Sequence, residues 1–279
     1  MEYSHSLTPE IVIESSKGWV SLKLGELWQY RELLFFLIWR DVKVQYKQAS
    51  LGIAWAIFQP LLTMVIFSII FGQLAKLPSE GVPYPVFSYA ALLPWQLFSS
   101  ALSRSTSSLV GNANLLTKVY FPRLIIPLSA TLSGLVDFSI SFIVMLGLML
   151  YYRMFPTWAV LWLPLLVLFI LVTALSVGLW LSALNVQYRD VQHVIPFLIQ
   201  AWMYASPVAY STELIPGGFW RIAYGVNPLV GVIQSSRWIL LGGKRPDELM
   251  VISVGIVALL LITGLFYFKR MEKTFADVV

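Results

Sequence analysis

Cysteine is absent from the chain, which excludes disulfide frameworks, iron–sulfur clusters and thiol nucleophiles. Histidine occurs only twice in 279 residues, and His193 has no second ligand at metal-binding spacing, so no metal site is expected. There is no His-Glu-x-x-His pair, which weighs against a membrane metalloprotease. Charge is scarce as well. Asp, Glu, Lys and Arg make up 12% of the residues, about half the share usual in a soluble domain. A water-soluble globule of this length could not hide the remaining apolar surface. Carboxylates that a membrane-embedded lipid or sugar transferase would gather at one interface are scattered, with Asp41, Asp137 and Asp190 on separate segments.

What the chain does have is hydrocarbon: 58% of its residues are apolar and 15% aromatic. An all-α integral membrane protein follows. Crossing the bilayer core takes roughly 20 mostly apolar residues as a helix. Six stretches come near that length: Ser50 to Leu74, Pro85 to Val110, Leu124 to Tyr151, Trp158 to Leu184, Val194 to Tyr210 and Leu249 to Phe268. A seventh apolar region, Gly217 to Leu241, is broken by Asn227-Pro228, Arg221 and Arg237. Two short re-entrant helices suit it better than a plain span, because irregular backbone at membrane depth is tolerated when buried in protein. The organisation expected is an N-terminal tail over residues 1–26 and one transmembrane domain over residues 27–279.

Lys and Arg set the orientation. With six spans both termini share a side. That side carries twelve cations, from Lys17 to Lys273, and the other six, from Lys76 to Arg245, with Arg104 inside a span. Both termini are therefore expected in the cytoplasm of a multi-pass protein. No cleavable signal peptide is visible, since the first thirty residues lack a central apolar run. The net charge of +5 is thereby spent at a membrane surface and gives no reason to expect nucleic acid. Gly242-Gly243-Lys244-Arg245 is not a phosphate-binding loop, because the leading glycine and the Ser or Thr for magnesium are missing.

Three segments look built for partners. In Leu27 to Gln48, Arg40, Lys43 and Lys47 share one helical face beside a stripe of Trp39, Val42 and Tyr46. Such a helix lies in the membrane interface, although an ordinary juxtamembrane segment would also carry cations. The loop Lys118-Val119-Tyr120-Phe121-Pro122-Arg123 puts two rings and two cations on a corner that the proline stiffens. It suits either a docking knob with both rings exposed or a tight turn with flanking cations. The loop around Tyr188, Arg189 and Asp190 is short and polar.

Two ionisable groups fall well inside spans, Arg104 and Asp137, and each is costly against lipid. An internal pair that holds the bundle and charges lining a polar pathway both account for them. Most of the aromatics near span ends form the usual interfacial belt. A subset facing inward, with Tyr89, Trp95, Phe98, Tyr204 and Tyr210 as candidates, would suit the apolar faces of sugars. The hydroxyl run from Ser99 to Ser108 marks a wet or closely packed face. A lone intramembrane carboxylate and no visible internal repeat argue against an ion-coupled transporter, so energy should come from elsewhere.

The order of motifs resembles the permease subunit of ABC exporters for polysaccharides, the O-antigen, capsule and teichoic acid group. The resemblance rests on Arg40-Asp41-Val42-Lys43-Val44-Gln45-Tyr46-Lys47-Gln48 with Leu51-Gly52, Trp55 and Pro60, then Leu93-Pro94-Trp95 with Phe98. It continues through Lys118–Arg123 with Pro127, Asn185 with Tyr188-Arg189-Asp190, and Pro196, Gln200 and Ser206-Pro207-Val208. Asn227-Pro228-Leu229 and the tail Glu272 with Phe275-Ala276-Asp277-Val278 complete it. It implies a six-span permease in the bacterial inner membrane, paired with a second copy of itself and two ATP-binding subunits. ATP and magnesium would sit on those subunits, with no cofactor in this chain. The amphipathic segment would be a gate helix, Lys118–Arg123 and Tyr188–Asp190 the coupling surfaces, and the cargo an undecaprenyl-linked polysaccharide. The same motifs leave an ABC permease for another lipid or a drug as the alternative.

Overall fold

The computed structural model describes residues 24–47, 52–188, 190–215, 217–246, 248–272 and 275. Arg189, Gln48 and the tail Ala276–Val278 lie outside them. Every regular element among the described residues is helical.

A short helix α1 (Leu24–Gln29) turns at Tyr30 into α2 (Arg31–Lys47), so the amphipathic segment is one main helix with a lead-in turn. The helix α3 (Gly52–Phe67) carries Pro60 and continues as a π-helical segment, Ser68–Leu74. Next come α4 (Tyr84–Gly111), the short α5 (Ala113–Lys118) and α6 (Ile125–Tyr151). A 3₁₀ turn, Trp158–Trp162, leads into α7 (Leu163–Gln187), followed by α8 (Val191–Tyr204). The interrupted region forms α9 (Phe219–Gly225) and α10 (Pro228–Leu241), and the last long helix is α11 (Glu248–Met271).

Four of these helical stretches are long and apolar enough to cross a membrane: Ala54–Leu74, Ile125–Tyr151, Trp158–Gln187 and Leu249–Met271. The expected second and fifth spans are not among them, for different reasons. Helix α8 has only 14 residues, about 21 Å of rise. Helix α4 has 28 residues, about 42 Å, but serine and arginine lower its hydropathy. Its position explains this composition. It packs on α3, α6, α7, α8 and α10, and 18 of its residues are buried. A helix sheathed by its neighbours touches little lipid and does not need a lipophilic surface.

Small residues allow that sheathing. A Cβ at Gly178 of α7 would come within 2.8 Å of the Ser105 Cβ of α4, so the two backbones approach closely only because no side chain intervenes. Backbone carbonyls supply further ties. Asn185 Nδ2 donates to the Thr106 carbonyl at 3.1 Å and Ser236 Oγ to the Ala90 carbonyl at 2.7 Å.

The break in the seventh apolar region has a local cause. Pro228 has no amide hydrogen to give a preceding turn and favours the first position of a new helix. Asn227 caps that helix, its Oδ1 accepting from the Leu229 amide at 3.1 Å and from Trp202 Nε1 at 2.9 Å. Its amide nitrogen donates to Ser206 Oγ at 2.9 Å. One side chain thus ties the end of α8 to the start of α10. Helix α10 ends on Gly242, whose φ of 72° is the left-handed cap that glycine adopts at least cost.

Candidate functional site

Asp137 and Arg104 meet. On α6, Asp137 accepts hydrogen bonds from Arg104 Nη2 of α4 and from the Tyr46 hydroxyl of α2. Gln45 Nε2 of α2 donates to it at 3.0 Å, and Arg104 Nη1 donates to Ser133 Oγ at 3.1 Å. The spacing that creates this is simple. Gln45 and Tyr46 sit at the last turn of α2, where the chain turns toward α3, so both can reach into the bundle while Lys43 and Lys47 stay exposed. Lys43 covers the Trp39 ring at 4.2 Å, and Arg40 pairs with Asp41 at 2.7 Å. The gate-helix candidates are therefore divided: Trp39, Lys43 and Lys47 face outward, and Tyr46 is drawn inward.

The network separates two cavities. One, of about 440 Å³, is lined by Gln45, Gln59, Gln96, Ser99, Ser100, Ser103, Arg104 and Asp137, with Trp55, Pro60 and Phe138. The other, of about 500 Å³, is lined by Arg40, Asp41, Gln45, Arg104, Ser107, Asn112 and Ser133. Gln45 and Arg104 line both. Arg104 and Asp137 pair, and the same pair borders polar cavities. The side chains of Arg104 and Asp137 keep 27% and 22% of their exposure, so the pair is open to whatever fills the cavities. Serines of α4 line both cavities.

The aromatic candidates are placed differently. Tyr89, Trp95 and Phe98 are buried in the core of the bundle, with the Tyr89 hydroxyl on the Ser141 carbonyl at 3.2 Å and Phe98 edge-on to Trp202. Trp55 and Phe138 are the rings that line the cavity. Tyr204 is exposed, and the Tyr210 hydroxyl bonds that of Tyr224 on α9. Sequence spacing marked Trp55 only as a motif residue, and nothing in the chain's periodicity singles out Gln45 or Gln96.

At the end of the bundle that carries the first and last described helices, a second apolar cluster gathers Leu37 of α2, Leu116, Phe121, Val186 and Phe268, with Phe275. Of the two readings open for the corner 118–123, the docking knob requires both rings to be exposed. Tyr120 is 80% exposed, but Phe121 is 4% exposed and points into this cluster. Proline at 122 turns the chain, so adjacent side chains face opposite ways. Arg123 is held by the end of α11: its amide donates to Glu272 Oε1 at 3.3 Å, and its guanidinium donates to the Glu272 carbonyl. Lys269 pairs with the same carboxylate at 2.7 Å. The exposed groups here are Lys118, Val119, Tyr120, Tyr188 and Asp190. This surface joins the loop before α6, the end of α7 and the tail of α11 into one packed unit.

At the opposite end, Arg237 of α10 is 4% exposed yet charged. It donates to the carbonyls of Tyr210 and Val208 at 3.0 and 3.1 Å and lies over the Phe87 ring at 3.7 Å. Lys244 pairs with Glu213, and that hydrogen bond holds its ammonium pKa above the ordinary value.

The arrangement makes no catalytic constellation among the described residues. It makes two polar cavities that share Gln45 and Arg104, beside the ion pair of Arg104 and Asp137, and a separate exposed surface around Tyr120 and Tyr188. Comparison with known proteins agrees with that shape. Residues 32–241 match the family model described as ABC-2 type transporter. The chain belongs to that family. This ABC-2 family member is 32% identical over 252 residues to the O-antigen export system permease protein RfbA of Myxococcus xanthus, covering 88% of this chain and 96% of the relative. It is 30% identical over 250 residues to the protein of the same name from Klebsiella pneumoniae, covering 89% and 95%. It is 25% identical over 239 residues to the polysialic acid transport protein KpsM of Escherichia coli, covering 85% and 91%. Its matched region takes in α2 through α10, and so includes every group in the polar network.

Proposed function

We propose that this chain is the membrane permease subunit of an ATP-driven exporter that moves a lipid-linked polysaccharide out of the cytoplasm. The observation that carries it is the near end-to-end match to O-antigen export permeases, with identity of 32% and no large part of either chain left over. The two cavities and their charged constriction support it. A chain of sugars presents hydroxyls on its edges and apolar ring faces, and a path of Ser and Gln side chains with Trp55 and Phe138 offers partners for each.

In this reading six helices cross the bacterial inner membrane, with α4 and α8 as the second and fifth. Helices α9 and α10 re-enter from the outer side, and both termini lie in the cytoplasm, as the lysine and arginine bias indicates. Two copies enclose the path, and two ATP-binding subunits, which hold ATP and magnesium, dock on the surface built from Lys118, Tyr120, Tyr188 and Asp190. Phe121, Pro122 and Arg123 fix that surface to the bundle. Helix α2 lies in the interface as a gate, latched through Tyr46 and Gln45 to Asp137. Movement of the docked subunits shifts the packed end as a rigid body, and the latch opens or closes the constriction.

The test is removal of the chain from its own cell. Surface polysaccharide should vanish while its lipid-linked precursor accumulates inside, and a plasmid copy should restore export. Unchanged surface polysaccharide would overturn the reading. Turnover of a lipid-linked sugar by the purified chain alone would overturn it in favour of a transferase.

A further inference from the structure

We propose that the apolar groove between α7, α10 and α11 is a binding site for one acyl chain of a membrane glycerophospholipid, with the lipid phosphate at Arg245. The groove has a volume of about 370 Å³, within the ~300–1,000 Å³ range of small-molecule sites. Its floor is Leu166 and Ile239, which are 5% and 2% exposed. Ser235 is the hydroxyl in the lining, and its hydrogen is already used. Ser235 Oγ donates to the Gly231 carbonyl at 2.7 Å and lies 3.7 Å from Met250 Sδ. Water in the groove would find almost no partner there, and a stable buried water needs two to four.

The occupant follows from where the groove opens. Its sides, Leu165 of α7 and Val254 of α11, are about half exposed. Both helices belong to stretches long and apolar enough to cross a membrane, so the mouth faces acyl chains. A carbon-lined slot that excludes water and opens onto acyl chains is filled by one. The slot's end toward the loop after α10 is marked by Pro246, and Arg245 beside it is exposed. Lys244 is committed to Glu213, which leaves the Arg245 guanidinium to meet a phosphate. Trp162 also lines this end, a residue type favoured at the level of lipid headgroups. A chain lying here bridges α7 to α11 and covers the side of α10.

The purified full-length protein, delipidated in a mild detergent, is titrated with palmitoyl-oleoyl phosphatidylglycerol and followed by native mass spectrometry and thermal unfolding. One lipid per chain should survive collision energies that strip the others, with a rise in Tm on lipid addition. Val254→Trp fills the slot from the bilayer side and should lose both effects. Leu165→Trp fills it from α7 and gives an independent check should the first variant not fold. Arg245→Glu should weaken retention at least tenfold while leaving Tm without lipid unchanged. Equal retention by the wild type and a folded slot-filling variant would overturn the site, and equal retention by Arg245→Glu would overturn the phosphate contact.

Discussion

At the scale of the residue, Arg104 and Asp137 combine a cost with a use. Two charges at bilayer depth are unfavourable singly, and three donors on one carboxylate offset that cost, two from α2 and one from α4, while Ser133 accepts from the guanidinium and steadies it. Removing one partner strands the other. Arg104→Ala should lower stability by about 3 kcal/mol, the small end of what loss of one member of a buried pair costs, and should abolish export. Arg153→Ala, on the exposed turn after α6, should do neither. The double variant Arg104→Leu/Asp137→Leu should recover thermal stability without recovering export. Recovery of both would show that the pair only holds the bundle. At the corner 118–123 the same reasoning separates neighbours. Phe121→Ala should cost about 3–5 kcal/mol, as emptying a buried ring site does, whereas Tyr120→Ala should leave Tm unchanged and weaken copurification with the ATP-binding subunit. Equal loss of Tm in the two variants would contradict the opposite facing of their side chains.

Among the elements, α4 decides the most. It is long, central and only moderately apolar, and it carries the polar wall of both cavities. Its close approach to α7 depends on Gly178. Gly178→Leu should force the two apart and destabilise by about 1–3 kcal/mol, the usual cost of overpacking. Ser105→Gly in the same protein should return part of the loss, since Ser105 is the side chain it strikes. Scanning the thermal midpoint of the single and double variants checks this. Helix α2 is held by apolar packing around Leu37 and, at its end, by polar contacts to Asp137. Tyr46→Phe removes one hydrogen bond from Asp137 and none of the packing. Transport rate should change with little shift in Tm, and an unaltered rate would end the latch.

Over the whole molecule, the two ends are built differently. One end is an apolar cluster that binds α2, the corner at Phe121, the end of α7 and the tail at Phe275. The other adds the polar anchors Arg237 and Asn227 to the main apolar core, which includes Val208, Leu229 and Ile239 there. Glu272→Ala removes the carboxylate that accepts from the Arg123 amide and pairs with Lys269, keeps the carbonyl that accepts from the Arg123 guanidinium, and leaves the exposed groups Tyr120 and Tyr188 in place. The complex should then hydrolyse ATP at a near-normal rate while export falls at least tenfold, measured on the same reconstituted vesicles. Loss of hydrolysis together with export would mean that Glu272 belongs to the docking surface itself.

Much of this was legible in the chain alone. Apolar runs fixed the all-α membrane class and the long helices to within a few residues, because helix length and hydropathy are local properties. The Asn227-Pro228 break was equally plain, since proline dictates it. Arg104 and Asp137 declared themselves as exceptional by being charged where charge is costly. Only the tertiary structure decided that they meet, that Gln45 and Tyr46 join them, and that Tyr89, Trp95 and Phe98 lie in the core while Trp55 faces the cavity. Those outcomes depend on the rotation of each helix about its own axis, which is set by interlocking with neighbours distant in sequence. For the same reason α4, sheathed by its neighbours, is less apolar than the helices around it, and Phe121 turns inward beside an exposed Tyr120. Composition specified the solvent of this protein; packing among helices chose which of its polar groups face one another within it.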